Sequence, residues 1–506
     1  MTMAGATGEP SAERAPRQPT LTEAVLSVVV LIVLIATTIV LFGTAATDGP
    51  LQVALFTSAA IAGLMALRLG HRTAHISQAV VGGISSALQA LFILLAVGAL
   101  IGTFNMAGTI PTIVYYGIGI LQPAYFYVSV AFICALVGVS IGSSWTTAAT
   151  LGVGFVALAP LLGADPAITA GAVISGGYFG DKMSPLSETT VLVPSLVGNV
   201  TVNEHIAAML WTSGPAFLIS LALYVILGIT LPAGETAFDK EAAQTALANE
   251  FSISLLNLLP LVLLIVLSLR RLPPFLTIFS CAIFAGVLAW FTQPAVVAAF
   301  AGEATMTLVA GLKALYLAMG TGFTLDTGVP QIDELFSGGG MSSMLTTIWL
   351  ILGALSYAAI VEHAGFLATL IEPVVRRATS TGRLIASVVG TAIGLNIVAG
   401  DQYVSVVMPS RVYRSVFAER GLAPRMLSRT VEDAGTVTSS LVPWNSCGAY
   451  MAGVLGVATV AYVPFAFFNL LSPLISLLYG FTGFRIERTA APPGDIPLQP
   501  IPETAA

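Results

Sequence analysis

The chain has 506 residues, of which 56% are apolar and only 9% are Asp, Glu, Lys or Arg, against roughly a quarter charged in soluble domains. So few charges cannot solvate a globule of this size, and the sequence is that of an integral membrane protein. Its 19 basic residues form no patch that could read a nucleic acid, and three cysteines, each inside an apolar run, exclude a disulfide scaffold.

Residues 1–20 are polar, rich in small side chains and carry Arg14 and Arg17, as expected of a disordered cytoplasmic tail. Ala24 to Gly43 is about the length that crosses a bilayer, and no small-residue cleavage site follows it, so it reads as a retained helix. Further spans are expected near 50–67, 86–106, 122–141, 206–231, 253–269, 273–292, 344–362, 383–399 and 448–468, with about ten to thirteen crossings in all. The stretches 142–200 and 394–447 are apolar but crowded with Gly, Ser, Thr, Pro, Asp and Asn. They read as broken helices or re-entrant hairpins, which survive at membrane depth only when buried in protein or lining a cavity. An acidic linker, 232–250, divides a first transmembrane repeat, 21–231, from a second, 251–484; a Pro-rich tail, 485–506, is expected to be disordered.

The two halves resemble each other. GISSALQALFILLAVGAL (Gly83 to Leu100) is similar to GMSSMLTTIWLILGAL (Gly340 to Leu355), and each is followed by an Ala-Gly pair, Ala107-Gly108 and Ala364-Gly365. In both halves two spans precede this segment and a broken region follows it. Basic residues set the orientation. Arg14, Arg17, Arg68 and Arg72 place the N-terminus and the loop after the second span inside, whereas Arg270 and Arg271 lie between the first two spans of the second half. Corresponding loops therefore face opposite sides, and Arg376, Arg377 and Arg383 contrast in the same way with the uncharged loop 118–123. The expected fold is all-α: a polytopic transmembrane protein with two inverted-topology repeats and re-entrant or broken helices, the architecture of many secondary transporters. Both termini are expected to be cytoplasmic, in the plasma membrane. The small-residue spacings Gly98/Gly102 and Gly390/Gly394 suit close helix packing.

Interrupted helices leave peptide groups unpaired. A break beside Asp, Ser, Thr or Asn offers oxygen ligands to a small hard cation such as Na⁺, whereas helix N-termini at the same break attract an anion. The polar clusters lie at Ser140 to Thr150, Gly176 to Thr190, Gly394 to Ser405 and Glu432 to Gly448. Three of their motifs, GDKMSPLSETT, GDQYVSVVMPSRVYRSVF and LSRTVEDAGTVTSSLVPWNSCG, resemble in sequence and order the NhaC family of Na⁺/H⁺ antiporters, within the larger ion-transporter superfamily. The SSWTT segment at Ser143 is similar to that family's Thr-Ser-Trp turn, with Ser143 in place of Thr. The resemblance runs from about residue 80 to 460. It implies alternating access, of elevator or rocking type, around paired re-entrant hairpins, with Na⁺ and H⁺ as cargo, the lipid bilayer as surroundings, no cofactor and room for a homodimer. Malate/lactate exchangers are also members, so exchange or symport of small organic anions stays open.

Asp181, after Gly180, is the first candidate for a coupling carboxylate, since H⁺ and Na⁺ competing for one carboxylate suffice for exchange; a surface ion pair with Lys182 is the alternative. Asp401, after Gly400, holds the similar place in the second half or caps the helix that follows. Na⁺ is assigned to these two. Glu188 fits a second carboxylate or a solvated loop, Glu432 and Asp433 a coupling pair or a surface pair beside Arg429, and Glu362 a proton relay or an interfacial residue. Ser144, Thr146, Thr189, Thr190, Asn396, Ser440, Asn445 and Ser446 are candidate oxygen donors, each also able to bond its own helix backbone. Trp145, Pro185, Pro443 and Trp444 shape the breaks. Lys182 and Arg411 are the basic residues near the broken regions that an organic anion would use. An intramembrane aspartyl protease is excluded by the lack of Gly-x-Gly-Asp and Pro-Ala-Leu, a zinc protease by the lack of His-Glu-x-x-His, a rhomboid-like protease by the lack of Gly-x-Ser-Gly, and an ATP-driven pump by the lack of a Walker motif.

Overall fold

The computed structural model describes residues 16–489 except 121, 232–239, 271, 327–332, 334 and 335. Most of the N-terminal tail, the C-terminal tail beyond 489 and the first part of the linker lie outside these residues; the rest of the linker is a helix, Lys240–Glu250. Among the described residues nine helical runs are long and apolar enough to cross a membrane: Leu21–Phe42, Pro50–Arg68, Ala87–Met106, Pro123–Ile141, Ser144–Leu162, Val202–Thr230, Pro274–Thr292, Met341–His363 and Thr381–Val398. The expected span 253–269 is a shorter apolar helix, Leu255–Leu269. The expected span 448–468 is bent: Ser446–Leu455 and Thr459–Phe465 are together apolar enough to cross but meet at 90°, as a broken span or a re-entrant loop. Gly456, at φ 66°, turns the chain there. Two further short apolar helices, Leu308–Gly320 and Phe467–Thr482, escaped the hydropathy pattern. The second carries Pro473 and the polar Ser472 within a continuous helix.

The first helix begins on a capping box between Thr20 and Glu23, and Arg17 pairs with the same carboxylate, which pins the chain at its entry to the apolar layer. Beyond it the two halves interlock. Helix Pro50–Arg68 of the first half lies along Leu345–His363 of the second, with Leu55 and Phe56 against Gly353 and Ile360 near Gly63. Tyr357 also donates to the carbonyl of Ser27 at 3.0 Å. Helix Pro274–Thr292 lies in turn on Thr73–Met106, with Thr103 close to Gly286. The two segments that resemble each other in sequence pack on one another and run antiparallel: Gly98 faces Gly340 and Met344, while Gly83 faces Leu355 and Ala359. Each half thus buries its third long helix against the leading helices of the other.

Close approach depends on particular glycines. A Cβ on Gly98 would sit 2.3 Å from the Gly340 carbonyl oxygen, and one on Gly102 2.1 Å from that of Ala318. Helices Phe126–Ile141 and Pro166–Met183 run parallel, and Cβ atoms on Gly176 and Gly180 would lie 2.1 and 2.4 Å from the carbonyl oxygens of Ala131 and Ala135. Gly390 and Gly394 were expected at an interface too, yet a Cβ on either would meet nothing within 4 Å. Their spacing matches the pattern but their face is open. Gly176→Ala should therefore cost about 1–3 kcal/mol through backbone overlap, while Gly390→Ala should be neutral or gain up to about 1 kcal/mol of helix propensity. Thermal melting of the purified variants in detergent checks the pair.

Candidate functional site

Four helices begin inside the protein, each at a break the sequence encodes locally. Phe126–Ile141 ends at Gly142 and Thr381–Val398 just before Gly400, which adopt φ of 75° and 61°. Only glycine takes that conformation without strain, and each is followed by a capping residue. Ser143 accepts from the Thr146 N–H at 3.2 Å and Asp401 from the Val404 N–H at 3.0 Å. The other two breaks contain Pro185 and Pro443, which cannot continue a helix. Ser187 then faces the Thr190 N–H at 3.5 Å, and Asn445 accepts from the Cys447 N–H at 3.0 Å.

The carbonyls freed at these breaks are met by side chains. Trp444 Nε1 donates to Ile397 O at 2.6 Å, Asn445 Nδ2 to Asn396 O at 3.2 Å, Tyr462 to Ser440 O at 2.6 Å and Thr190 to Lys182 O at 3.2 Å. Asn396 Nδ2 reaches Gly435 O at 2.7 Å, beside a wide π-turn at Glu432–Thr436. The halves meet where Trp145 stacks on Tyr450, with ring centroids 3.9 Å apart and the Tyr450 hydroxyl donating to Trp145 O at 3.1 Å.

All four breaks border one cavity of about 520 Å³. Its wall includes Ser143 to Thr146, Pro185 to Thr189, Asp401 to Tyr403, Ser446 and Cys447, together with Asp181. Asp181, half-buried, accepts at Oδ2 from the Ser144 N–H at 2.9 Å and the Ser144 hydroxyl at 2.7 Å. Asp401, 8% exposed, is approached at Oδ2 by the Ser446 hydroxyl at 3.5 Å. Glu188 is exposed and accepts from the Tyr403 hydroxyl across the two halves. No Lys, Arg or His lines the cavity among the described residues.

The structure sorts the sequence candidates into three groups. Asp181, Asp401, Glu188, Ser144, Thr146, Thr189 and Ser446 share the cavity. Thr190, Asn396, Ser440 and Asn445 instead hold the backbone at the breaks. Glu432 and Asp433 are fully buried away from the wall, and Glu362 is exposed at the end of its helix.

Two expectations change. Asp401 is not placed as Asp181 is: it caps a helix after a glycine turn, as Ser143 does, whereas Asp181 lies within a long helix. Lys182 is neither at the surface nor paired with Asp181. It is 0% exposed and forms an ion pair with Asp433. Sequence reasoning missed Ser143, Ser187, Gln402, Tyr403 and Cys447. Gly142-Ser143, a glycine followed by a capping residue like Gly400-Asp401, was the available signal for the first of them.

A chain of apolar helices packed around interrupted helices, with a polar cavity bordered by the breaks, is that of a secondary membrane transporter. The profile of the Na⁺/H⁺ antiporter family matches residues 6–199 and 176–484, and the chain belongs to this family, as a member of the NhaC type. It is 37% identical to the Na⁺/H⁺ antiporter NhaC of Alkalihalophilus pseudofirmus, over 83% of this chain and 87% of that one. It is 35% identical to the malate-2H⁺/Na⁺-lactate antiporter of Bacillus subtilis, over 92% and 96%. It is 34% identical to the arginine/ornithine antiporter ArcD of Halobacterium salinarum, over 93% of each.

The buried pair gives a direct test of the site's electrostatics. Lys182→Met strands Asp433 without its counter-ion and should cost about 3–5 kcal/mol, whereas adding Asp433→Leu should recover much of that loss. Melting temperatures of the four-member mutant cycle measure this; a Lys182→Met single variant as stable as the parent would show that the pair is not ionised.

Proposed function

We propose that the protein exchanges Na⁺ for H⁺ across the plasma membrane by alternating access, the two ions competing for the negative charge of Asp181 and Asp401. The observation that carries this reading is a cavity walled by three carboxylates and several hydroxyls with no basic side chain among the described residues. Oxygen donors of this kind suit a hard cation. The Ser144 N–H and hydroxyl hold Asp181 at the cavity wall, and Asp401 sits at the N-terminus of its own helix, so both carboxyl groups are presented to a cation in the cavity.

The antiparallel packing of Thr73–Met106 on Leu345–His363 and the two hairpins meeting at Trp145 and Tyr450 support an inverted repeat. In both halves a long helix, a short helix, a first interrupted pair, a second interrupted pair and a closing helix follow in the same order. The cavity reaches Ser268, Leu272 and Pro274, which flank Arg270 and Arg271. Under the positive-inside rule that rim is cytoplasmic, so this conformation faces inward, with both termini on the same side.

One observation favours a second reading, exchange of small organic anions: four helix N-termini border the cavity, and such termini attract anions. Two of the four already hold the protein's own carboxylates, and Lys182 is spent on Asp433, which ranks the cation reading first. Everted vesicles from cells lacking other antiporters separate the two. With an imposed ΔpH, Na⁺ or Li⁺ should dissipate the gradient, and Asp181→Asn and Asp401→Asn should each lower the rate more than tenfold at unchanged expression. Dissipation by malate or lactate with no response to Na⁺ or Li⁺ would overturn the cation reading.

A further inference from the structure

We propose that Glu432 is a second proton-carrying carboxylate, set behind Asp181 in a buried charge cluster, and that a cation arriving at Asp181 expels its proton. This rests on the cation-exchange reading above and adds to it a proton site off the cavity.

Glu432 is 0% exposed, and neither of its oxygens has a hydrogen-bond partner. The Thr189 and Thr436 hydroxyls are its polar neighbours. Thr189 stands on the cavity wall, so the cluster and the cavity are separated by one side chain. The charged groups around Glu432 are few. Helix Pro166–Met183 brings Asp181 and Lys182, and the preceding helix Pro424–Val431 brings Arg429, which is 1% exposed and donates to Arg485 O at 3.2 Å. Asp433 is the partner of Lys182 and also accepts from Thr212 at 2.9 Å. Helix Glu188–Val197 adds Thr189, Thr190 and, at its exposed start, Glu188, while Glu487, paired with Arg425, lies toward Arg429. The other elements face this turn with uncharged side chains: His205 on Val202–Thr230, bonded to Ser428 at 2.9 Å, Ser472 on Phe467–Thr482, and Asn396 and Ser405, both on the Gly435 carbonyl.

Charge balance then decides the state. Glu188 is exposed to the cavity and Glu487 is compensated by Arg425, so neither enters the buried balance. Fully ionised, Lys182 and Arg429 carry two positive charges, and Asp181, Glu432 and Asp433 three negative. One uncompensated negative charge in a buried site is strongly unfavourable. Two arrangements remove it: a proton on Glu432 with Asp181 empty, or a cation on Asp181 with Glu432 ionised. Both are neutral. Occupying both sites leaves an excess positive charge, and occupying neither an excess negative one. The cluster therefore makes H⁺ at Glu432 and a cation at Asp181 mutually exclusive, in addition to the competition at Asp181 itself. The proton leaves the carboxyl oxygen as H⁺ and the carboxylate remains, so no other reactant is required.

The test uses the full chain purified in detergent. Infrared difference spectra of the Na⁺-free protein at neutral pH should show the carbonyl band of a protonated buried carboxyl; Glu432→Gln should lack it and Glu432→Asp should retain it. On adding Na⁺ the wild-type band should vanish, and a pH dye in weak buffer should record about one more proton released per Na⁺ bound than in Glu432→Gln. That variant should also bind Na⁺ at least tenfold more weakly, because its site is already neutral, while its melting temperature stays near that of the wild type. A band that persists in Glu432→Gln would overturn the proposal. Wild-type protein that binds Na⁺ with no proton release would instead overturn the exchange reading on which it rests.

Discussion

A peptide group without a hydrogen-bond partner is expensive in hydrocarbon, and this chain interrupts its helices at four interior points. Everything else in the structure accommodates those interruptions. Each new helix starts with a side-chain cap, Ser143, Ser187, Asp401 or Asn445, and caps of this kind contribute about 1 kcal/mol apiece. The carbonyls left over are taken by Trp444, Asn445, Tyr462 and Thr190. The breaks border the cavity, where the chain's own carboxylates meet two of the helix ends. The functional chemistry thus arises from the same groups that make the breaks tolerable.

Much of this was legible in the sequence because hydropathy and helix breakers are local. The scarcity of charge gave the membrane class, and eight of the expected spans correspond to helices long and apolar enough to cross. The bend at Gly456 was not legible, since its flanks are as apolar as a continuous span. Nor was the difference between two Gly-Asp pairs. Gly400 uses the freedom of glycine to reverse the chain at positive φ, whereas Gly180 stays helical and uses the absence of a side chain to let Ala135 approach. The letters are identical and the physical demands are not, so Asp181 and Asp401 looked equivalent when they are not. Gly390 and Gly394 failed in the same way: a spacing records a possible contact and not the neighbour.

Charge was the least legible feature because its compensation is non-local. Lys182 and Asp433 are 251 residues apart in sequence and in contact in space. Their pairing explains why a lysine sits beside a cavity that presents no positive charge among the described residues. It also joins the two halves, which already interlock through the exchange of leading helices. A cavity between halves held in this way is shaped by both, as the Tyr403 bond to Glu188 and the Trp145 stack on Tyr450 illustrate. Reading either half alone would have left the site incomplete.

Asp181 and Lys182 show how a single step along a helix can couple two environments. Successive side chains on an α-helix point about 100° apart, so one residue faces the cavity while the next faces the buried cluster. Glu432 and Asp433 repeat the division on the opposing π-turn: Asp433 neutralises Lys182 and Glu432 is left over. At such separations the field of one charge is weakly screened inside protein, far less than in water. A change of charge on the cavity side is therefore felt in the cluster without any movement of the backbone. On the proposed reading the two sites are linked by electrostatics first, and a conformational change has only to act on a charge state already chosen.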